Sequence, residues 1–228
     1  MIAFLIAAAA ASPSAVAAEK PVDAYAAPQQ TGPKFWLLPD DYPSDIFRNG
    51  GQGTVGFHLY VDPNGKAYRC EVFASSGWPG LDSVTCTKAL ARARFIPARD
   101  DSGQQTYGRI TRYQIWINPN YWARKANNIA KVEDVVKVAA LPKEKASEVD
   151  VSYIAETDGR VSSCRASDET VSKMLADLAC QELTKTGAAS TTDPNGAKVR
   201  SVVTWKVGFT TGAVPAPPPA GAVFSATE

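Results

Sequence analysis

Residues 53–86 read GTVGFHLYVDPNGKAYRCEVFASSGWPGLDSVTC, and residues 147–180 read SEVDVSYIAETDGRVSSCRASDETVSKMLADLAC. At an offset of 94 these stretches align Gly65 with Gly159, Cys70 with Cys164, Leu81 with Leu175 and Cys86 with Cys180. Each contains an alternating run, a turn ending in glycine, a second run and a helix-like stretch, so one architectural unit is expected twice. Val55, Phe57, Leu59 and Val61 alternate with Gly56, His58 and Tyr60, the period of a half-buried strand. Asp62-Pro63-Asn64-Gly65 then turns the chain, because Pro fixes one dihedral and Asn-Gly tolerates positive φ. The return run, Lys66 to Ala74, puts Cys70, Val72 and Ala74 on one face. From Leu81 to Phe95 the spacing is helical, with an apolar stripe of Cys86, Ala89, Leu90 and Ala93 that should lie on the hairpin.

Alternation resumes from Arg109 to Ile117, where Tyr113, Ile115 and Ile117 form an apolar row. The second copy has strands near Val149 to Glu156 and Arg160 to Ala166, a helix near Glu169 to Leu183, and a last strand from Val199 to Phe209. The expected fold class is α+β: two tandem domains, each a helix packed on a three-stranded antiparallel sheet. Residues 1–18 read as a signal peptide, 19–38 as a linker, 39–120 as the first domain and 121–147 as a connecting helix and linker. Residues 148–210 read as a second, degenerate repeat, and 211–228 as a disordered Pro/Ala-rich tail.

The signal reading rests on an uncharged start, an apolar run from Ile2 to Ala11, and small residues around Ala17 and Ala18. Pro13 interrupts a segment that would need about 20 continuous apolar residues to span a bilayer, so membrane association is expected only if the segment is uncleaved. In an oxidising compartment four cysteines are expected to pair. One cysteine of each unit falls on the inner face of the second strand and the other on the inner face of the helix. That placement selects Cys70–Cys86 and Cys164–Cys180, the alternative being four buried free thiols. The cysteines are too dispersed, with His58 the one histidine, for a zinc site, and no metal or cofactor is expected. A net charge of +1 argues against nucleic acid as a partner.

Residues 42–117 resemble the C-terminal domain of TonB, the energy transducer of Gram-negative outer-membrane transport. The resemblance is carried by Tyr42-Pro43, Gly53 ahead of a strand, the Asp62–Gly65 turn, Ser75-Ser76-Gly77 before Leu81-Asp82, and Arg94-Phe95-Ile96-Pro97-Ala98. It implies that the last strand and the Tyr-Pro segment meet a short peptide of an outer-membrane transporter or another envelope protein by strand addition. The matching segments are Leu38 to Pro43 and Arg109 to Ile117, with Tyr42, Pro43, Arg109, Thr111, Arg112, Tyr113 and Ile115 as the expected contacts. It further implies a periplasmic, non-catalytic protein, with an inner-membrane-anchored transducer as the alternative if the N-terminal segment is retained. An envelope structural or assembly factor is the competing class. Pro39-Asp40-Asp41 departs from the neutral residues that the family has there.

Searching for chemistry yields little. No stretch supplies a catalytic constellation, and His58 reads as a solvent-facing strand residue with no nucleophile assigned to it. Gly50-Gly51-Gln52-Gly53 lacks the Lys-Ser or Lys-Thr of a phosphate loop. Asp40-Asp41 and Asp100-Asp101 lack calcium-loop spacing. Arg92, Arg94, Arg99, Arg109 and Arg112 gather near the third strand, where they suit an acidic ligand or an ordinary solvated face.

Overall fold

In the computed structural model, residues 25–33, 35–121, 133–141, 147–167, 172–214, 216 and 221–226 are described. The expected signal segment lies outside them, as does most of the expected connecting helix. The first hairpin is set by its turn. The Asp62 carboxylate accepts the N–H groups of Asn64 and Lys66, both at 2.9 Å, and Gly65 adopts φ 80°. A Cβ at Gly65 would stand 2.0 Å from the Phe95 carbonyl oxygen, so only glycine fits. In the second hairpin Asp158 accepts the Arg160 N–H at 3.0 Å and Gly159 takes φ 87°.

The first half comprises β1 (Gln29–Thr31), α1 (Ser44–Arg48), β2 (Gly53–Val61), β3 (Ala67–Ala74), α2 (Pro79–Arg92), β4 (Arg94–Ile96), β5 (Ala98–Arg99) and β6 (Gln105–Trp116). The second half follows with β7 (Asp134–Lys137), β8 (Glu148–Ala155), β9 (Val161–Ala166), α3 (Lys173–Thr186), β10 (Thr191–Thr192), β11 (Lys198–Val199), β12 (Ser201–Thr210) and β13 (Val223–Ser225). This is an α+β protein with a mainly sheet core. The hairpins repeat the same pairing: Leu59 opposes Cys70 as Tyr153 opposes Cys164, with an irregularity at the turn end of each.

The two halves are not separate bodies. They share one nine-stranded sheet, in the order β13-β3-β2-β6-β12-β8-β9 with β5 and β7 at its side. The join is parallel, Tyr107 to Arg109 of β6 facing Ser201 to Val203 of β12. Ile110 and Trp116 enter the core beneath α2, whereas Arg109 is level with Val203, which enters the core beneath α3. Neighbouring residues of a strand point to opposite faces, so the two helices cover opposite faces of the sheet. Such a join was invisible in the sequence because it is made by backbone edges, which leave no side-chain period.

Each helix buries the stripe its spacing predicts. Leu81, Cys86, Ala89 and Leu90 of α2 pack on Val55, Phe57, Leu59, Cys70 and Val72, and Leu175, Ala176, Ala179 and Leu183 of α3 pack on Val149, Val151 and Tyr153. Disulfides join Cys70 to Cys86 and Cys164 to Cys180, with Cα–Cα distances of 5.5 and 5.6 Å. The start of α2 is held by buried Asp82, whose carboxylate accepts the Ser76 N–H at 2.9 Å and both the Ser75 and Ser76 hydroxyls. That arrangement accounts for the Ser-Ser-Gly and Leu-Asp pattern.

Three expectations need correction. Residues 19–38 are not merely a linker: β1 pairs with β4, Tyr25 is buried with its hydroxyl on the Ser152 carbonyl, and Trp36 packs edge-on against Phe95 at 5.7 Å. The described end of the expected connecting helix is strand β7, parallel to β12, because Val135 and Val136 meet a free backbone edge. Residues 221–226 of the expected disordered tail lie along β3, since Gly221 can approach Val72 where a Cβ would sit 2.6 Å from its Cγ1. At the end of β6 Ile115 is exposed and Trp116 buried, and Ile117 just beyond the strand is exposed, so that end of the apolar row lies at the surface.

Candidate functional site

Pro39–Asp41 forms a 3-10 turn that carries Leu37 and Leu38 across the end of β6. Asp41 pins this turn to α2. Its carboxylate accepts the Leu38 N–H at 2.8 Å, both terminal nitrogens of Arg92, and Lys88 at 3.1 Å. The Arg92 hydrogen bonds hold the Asp41 carboxyl well below the usual carboxylate range, against the opposing effect of burial. Arg92 also donates to the Trp36 carbonyl at 2.8 Å, so one guanidinium fixes both ends of the segment.

Between this segment and β6 lies an open, mostly apolar cavity of about 620 Å³, lined by Leu37, Leu38, Tyr42, Phe47, Ile115 and Ile117 among others. Leu38, Ile115 and Ile117 are 52%, 47% and 57% exposed, so this apolar surface is left unfilled. The floor is rigid. Tyr42 stands edge-on to Trp116 at 4.9 Å and to Phe47 at 5.3 Å, and its hydroxyl donates to the Gly51 carbonyl. Trp116 Nε1 donates to Thr85 Oγ1 at 3.0 Å inside the core.

Beside the cavity β6 is half covered. Its Tyr107–Arg109 stretch pairs with β12, and the Thr111 N–H reaches the Thr204 hydroxyl at 3.3 Å. Odd-numbered residues of β6 therefore turn their backbone groups away from β2. Tyr113 and Ile115 continue that row, and on the side away from β2 no described strand pairs with them.

The covered part is closed by Glu133, whose side chain is 7% exposed. It accepts from His58 Nε2 at 2.8 Å, Arg109 at 3.3 Å, the Thr111 hydroxyl, and the Lys206 N–H at 3.2 Å. Burial alone would raise the Glu133 carboxyl, but the His58 hydrogen bond and the Arg109 charge outweigh it and hold it low. Burial, helped by Arg109, depresses His58. His58 also stacks on Phe73 at 4.6 Å, so it is a buried residue and not the solvent-facing one expected.

Of the residues expected to contact a peptide, Tyr42 and Ile115 line the cavity and Pro43 opens the helix beneath it. Tyr113 lies on the open edge, edge-on to Phe73 at 5.7 Å. Arg109 and Thr111 are spent on Glu133, and Arg112 is half-buried with its guanidinium on the Thr111 carbonyl. The expected arginine cluster is thus dispersed, Arg92 serving Asp41, Arg99 the Gly103 carbonyl and Arg94 the carbonyls of Ala91 and Ala93. Leu38 and Ile117, the outer ends of the two matched segments, also line the cavity; Leu37 and Phe47 were not foreseen, and their sequence signal was apolar residues in segments otherwise read as linker and short helix.

Residues 39–115 match the family model for the Gram-negative bacterial TonB protein C-terminal. This segment is a TonB C-terminal domain. The TonB match runs from Pro39 to Ile115, so its two ends are the two walls of the cavity. The match covers about a third of the chain. No curated protein and no solved structure matches the chain. Among the described residues no helix is long and apolar enough to cross a membrane, and no group of His, Cys, Asp and Glu is placed to hold a metal ion.

Proposed function

We propose that this is a periplasmic binding protein that captures an extended segment of an outer-membrane transporter, or of another envelope protein, at the open end of β6. The observation carrying this reading is that the side of β6 away from β2 meets no described strand at Tyr113 and Ile115, where the Ile115 carbonyl accepts from the Gln114 side chain at 3.0 Å, and that this stretch adjoins the apolar cavity beneath Leu37, Leu38 and Tyr42. Backbone hydrogen bonds to β6 supply affinity irrespective of sequence, and the cavity selects an apolar side chain on alternate residues of the visitor. Half of the edge is closed by β12 and Glu133, so the visiting strand is short.

In this reading residues 148–210 are a second, degenerate TonB-like repeat that supports the first by extending its sheet. Its α3 core and disulfide keep β12 in place, and β12 fixes where the open edge begins. A photo-crosslinking residue at Ile115 tests the proposal in envelopes. Adducts with a transporter or another envelope protein support it, provided the same residue at exposed Met174 gives none. Equal labelling from both positions contradicts it.

A further inference from the structure

β9 ends the sheet, and no described strand pairs with its outer edge. Its counterpart at an offset of 94 is β3, whose outer edge is covered. There the Gly221 N–H donates to the Val72 carbonyl at 2.8 Å, the Val72 N–H to Ala222 at 3.1 Å, and the Ala226 N–H to Tyr68 at 2.9 Å. The hairpin registers coincide, so Ser162, Cys164 and Ala166 present outward the backbone groups that Tyr68, Cys70 and Val72 give to β13. An edge in this position of this fold accepts a strand.

The usual guards are missing from β9. It reads Val-Ser-Ser-Cys-Arg-Ala, with no proline and no lysine, and its irregularity lies at the turn end. Its one charge, Arg165, is drawn away over the Tyr25 ring, 4.7 Å from the centroid, to donate to the Tyr25 carbonyl at 2.5 Å.

The chemistry beside the edge says what fits. Beneath β13 the wall of α2 is Thr87, Leu90 and Ala91, and the apolar Phe224 packs on that core. Beside β9 the corresponding positions of α3 are Gln181, Thr184 and Lys185, with Asp177 one turn earlier, around an open groove of about 700 Å³. An apolar tail is a poor match for that wall.

We propose that the occupant is the β9 edge of a second copy, related by a two-fold axis through Cys164. About that axis Ser162 opposes Ala166 of the other copy in an antiparallel ladder, extending the sheet across both. Strands then lie about 4.8 Å apart, and helices seated over β9 and β8 come about 10 Å apart, the separation of packed helices. The Cys164–Cys180 disulfide puts the helix midpoint beside the same axis, so Asp177 of each copy faces Lys185 of the other. Both side chains are exposed, at 55% and 70%, with only neighbours on their own helix as partners. The interface is one short edge and one helix face, so association is weak and reversible.

Analytical ultracentrifugation of the full chain, from micromolar to near-millimolar concentration, tests this. We expect a monomer–dimer equilibrium whose dissociation constant rises about tenfold for D177K or K185D alone, and returns close to the starting value in the D177K/K185D double variant. Hydrogen exchange at Ser162, Cys164 and Ala166 should slow with concentration, while that at Tyr113 and Ile115 stays constant. A chain monomeric throughout, or single reversals without effect, or a double variant that is not restored, or protection at Tyr113 instead of Cys164, overturns the proposal. The dimer does not involve the β6 groove, so its failure leaves the peptide-binding reading standing.

Discussion

Asp41 and Arg92 meet through two parallel hydrogen bonds, from Nη2 to Oδ1 at 3.0 Å and from Nη1 to Oδ2, although one sits in a 3-10 turn and the other in the last turn of α2. This pair holds the wall of the apolar cavity against the helix. The Asp41 pKa is depressed in the folded protein, so its stabilisation is complete above the ordinary carboxylate value of about 4 and is lost as pH falls below it. Asp41→Asn should therefore flatten the acid side of the stability curve, as read by thermal unfolding across that range. The same variant should weaken peptide capture at neutral pH, because Leu38 is no longer pinned.

His58 gives a second window. Its folded pKa lies below its ordinary value, chiefly through burial and then through Arg109, with Glu133 and Glu71 pulling the other way. The unfolded chain thus takes up a proton first, so stability is complete above about pH 6.5 and declines as pH falls below it. His58→Gln can still donate to Glu133 but cannot titrate. Chemical denaturation from about pH 7 to pH 5 should show a slope in the parent that is reduced in the variant.

The disulfides close equal loops, each with a sequence separation of 16, so chain entropy assigns each about 3 kcal/mol. Their surroundings differ. Cys70 and Cys86 are fully buried in the α2 core, whereas Cys164 and Cys180 border the open groove beside β9. Replacing Cys164 and Cys180 with serine should cost about 3 kcal/mol in denaturant unfolding, and the same change at Cys70 and Cys86 should cost more, because buried hydroxyls lose water without gaining partners. Under graded reduction the Cys164–Cys180 bond should open first.

What the sequence disclosed was whatever a side-chain period or a turn records. The strands around Phe57 and Tyr153, the helices beneath Cys86 and Cys180, and the turns at Gly65 and Gly159 all carry such marks. Tyr42 and Ile115 of the cavity were reached through resemblance, not through their own spacing. The parallel join at Arg109 and Val203 left no mark, since backbone edges pair without regard to side chains. Glu133 was equally silent: it lies 75 positions from His58, and nothing local tells a carboxylate that it will bury an arginine and a histidine together. The alternation of Tyr113, Ile115 and Ile117 was real, but a row of apolar residues marks a binding surface as readily as a core.

The most direct measurement is a titration of the isotope-labelled chain with N-terminal peptides of outer-membrane transporters, following backbone amides along β6. Strand addition predicts large, saturable shifts at Tyr113 and Ile115, accompanied by Leu38, while Gly108 and Arg109 stay where β12 holds them. Shifts absent from Tyr113 and Ile115, or confined to β3 or β9, would contradict the account.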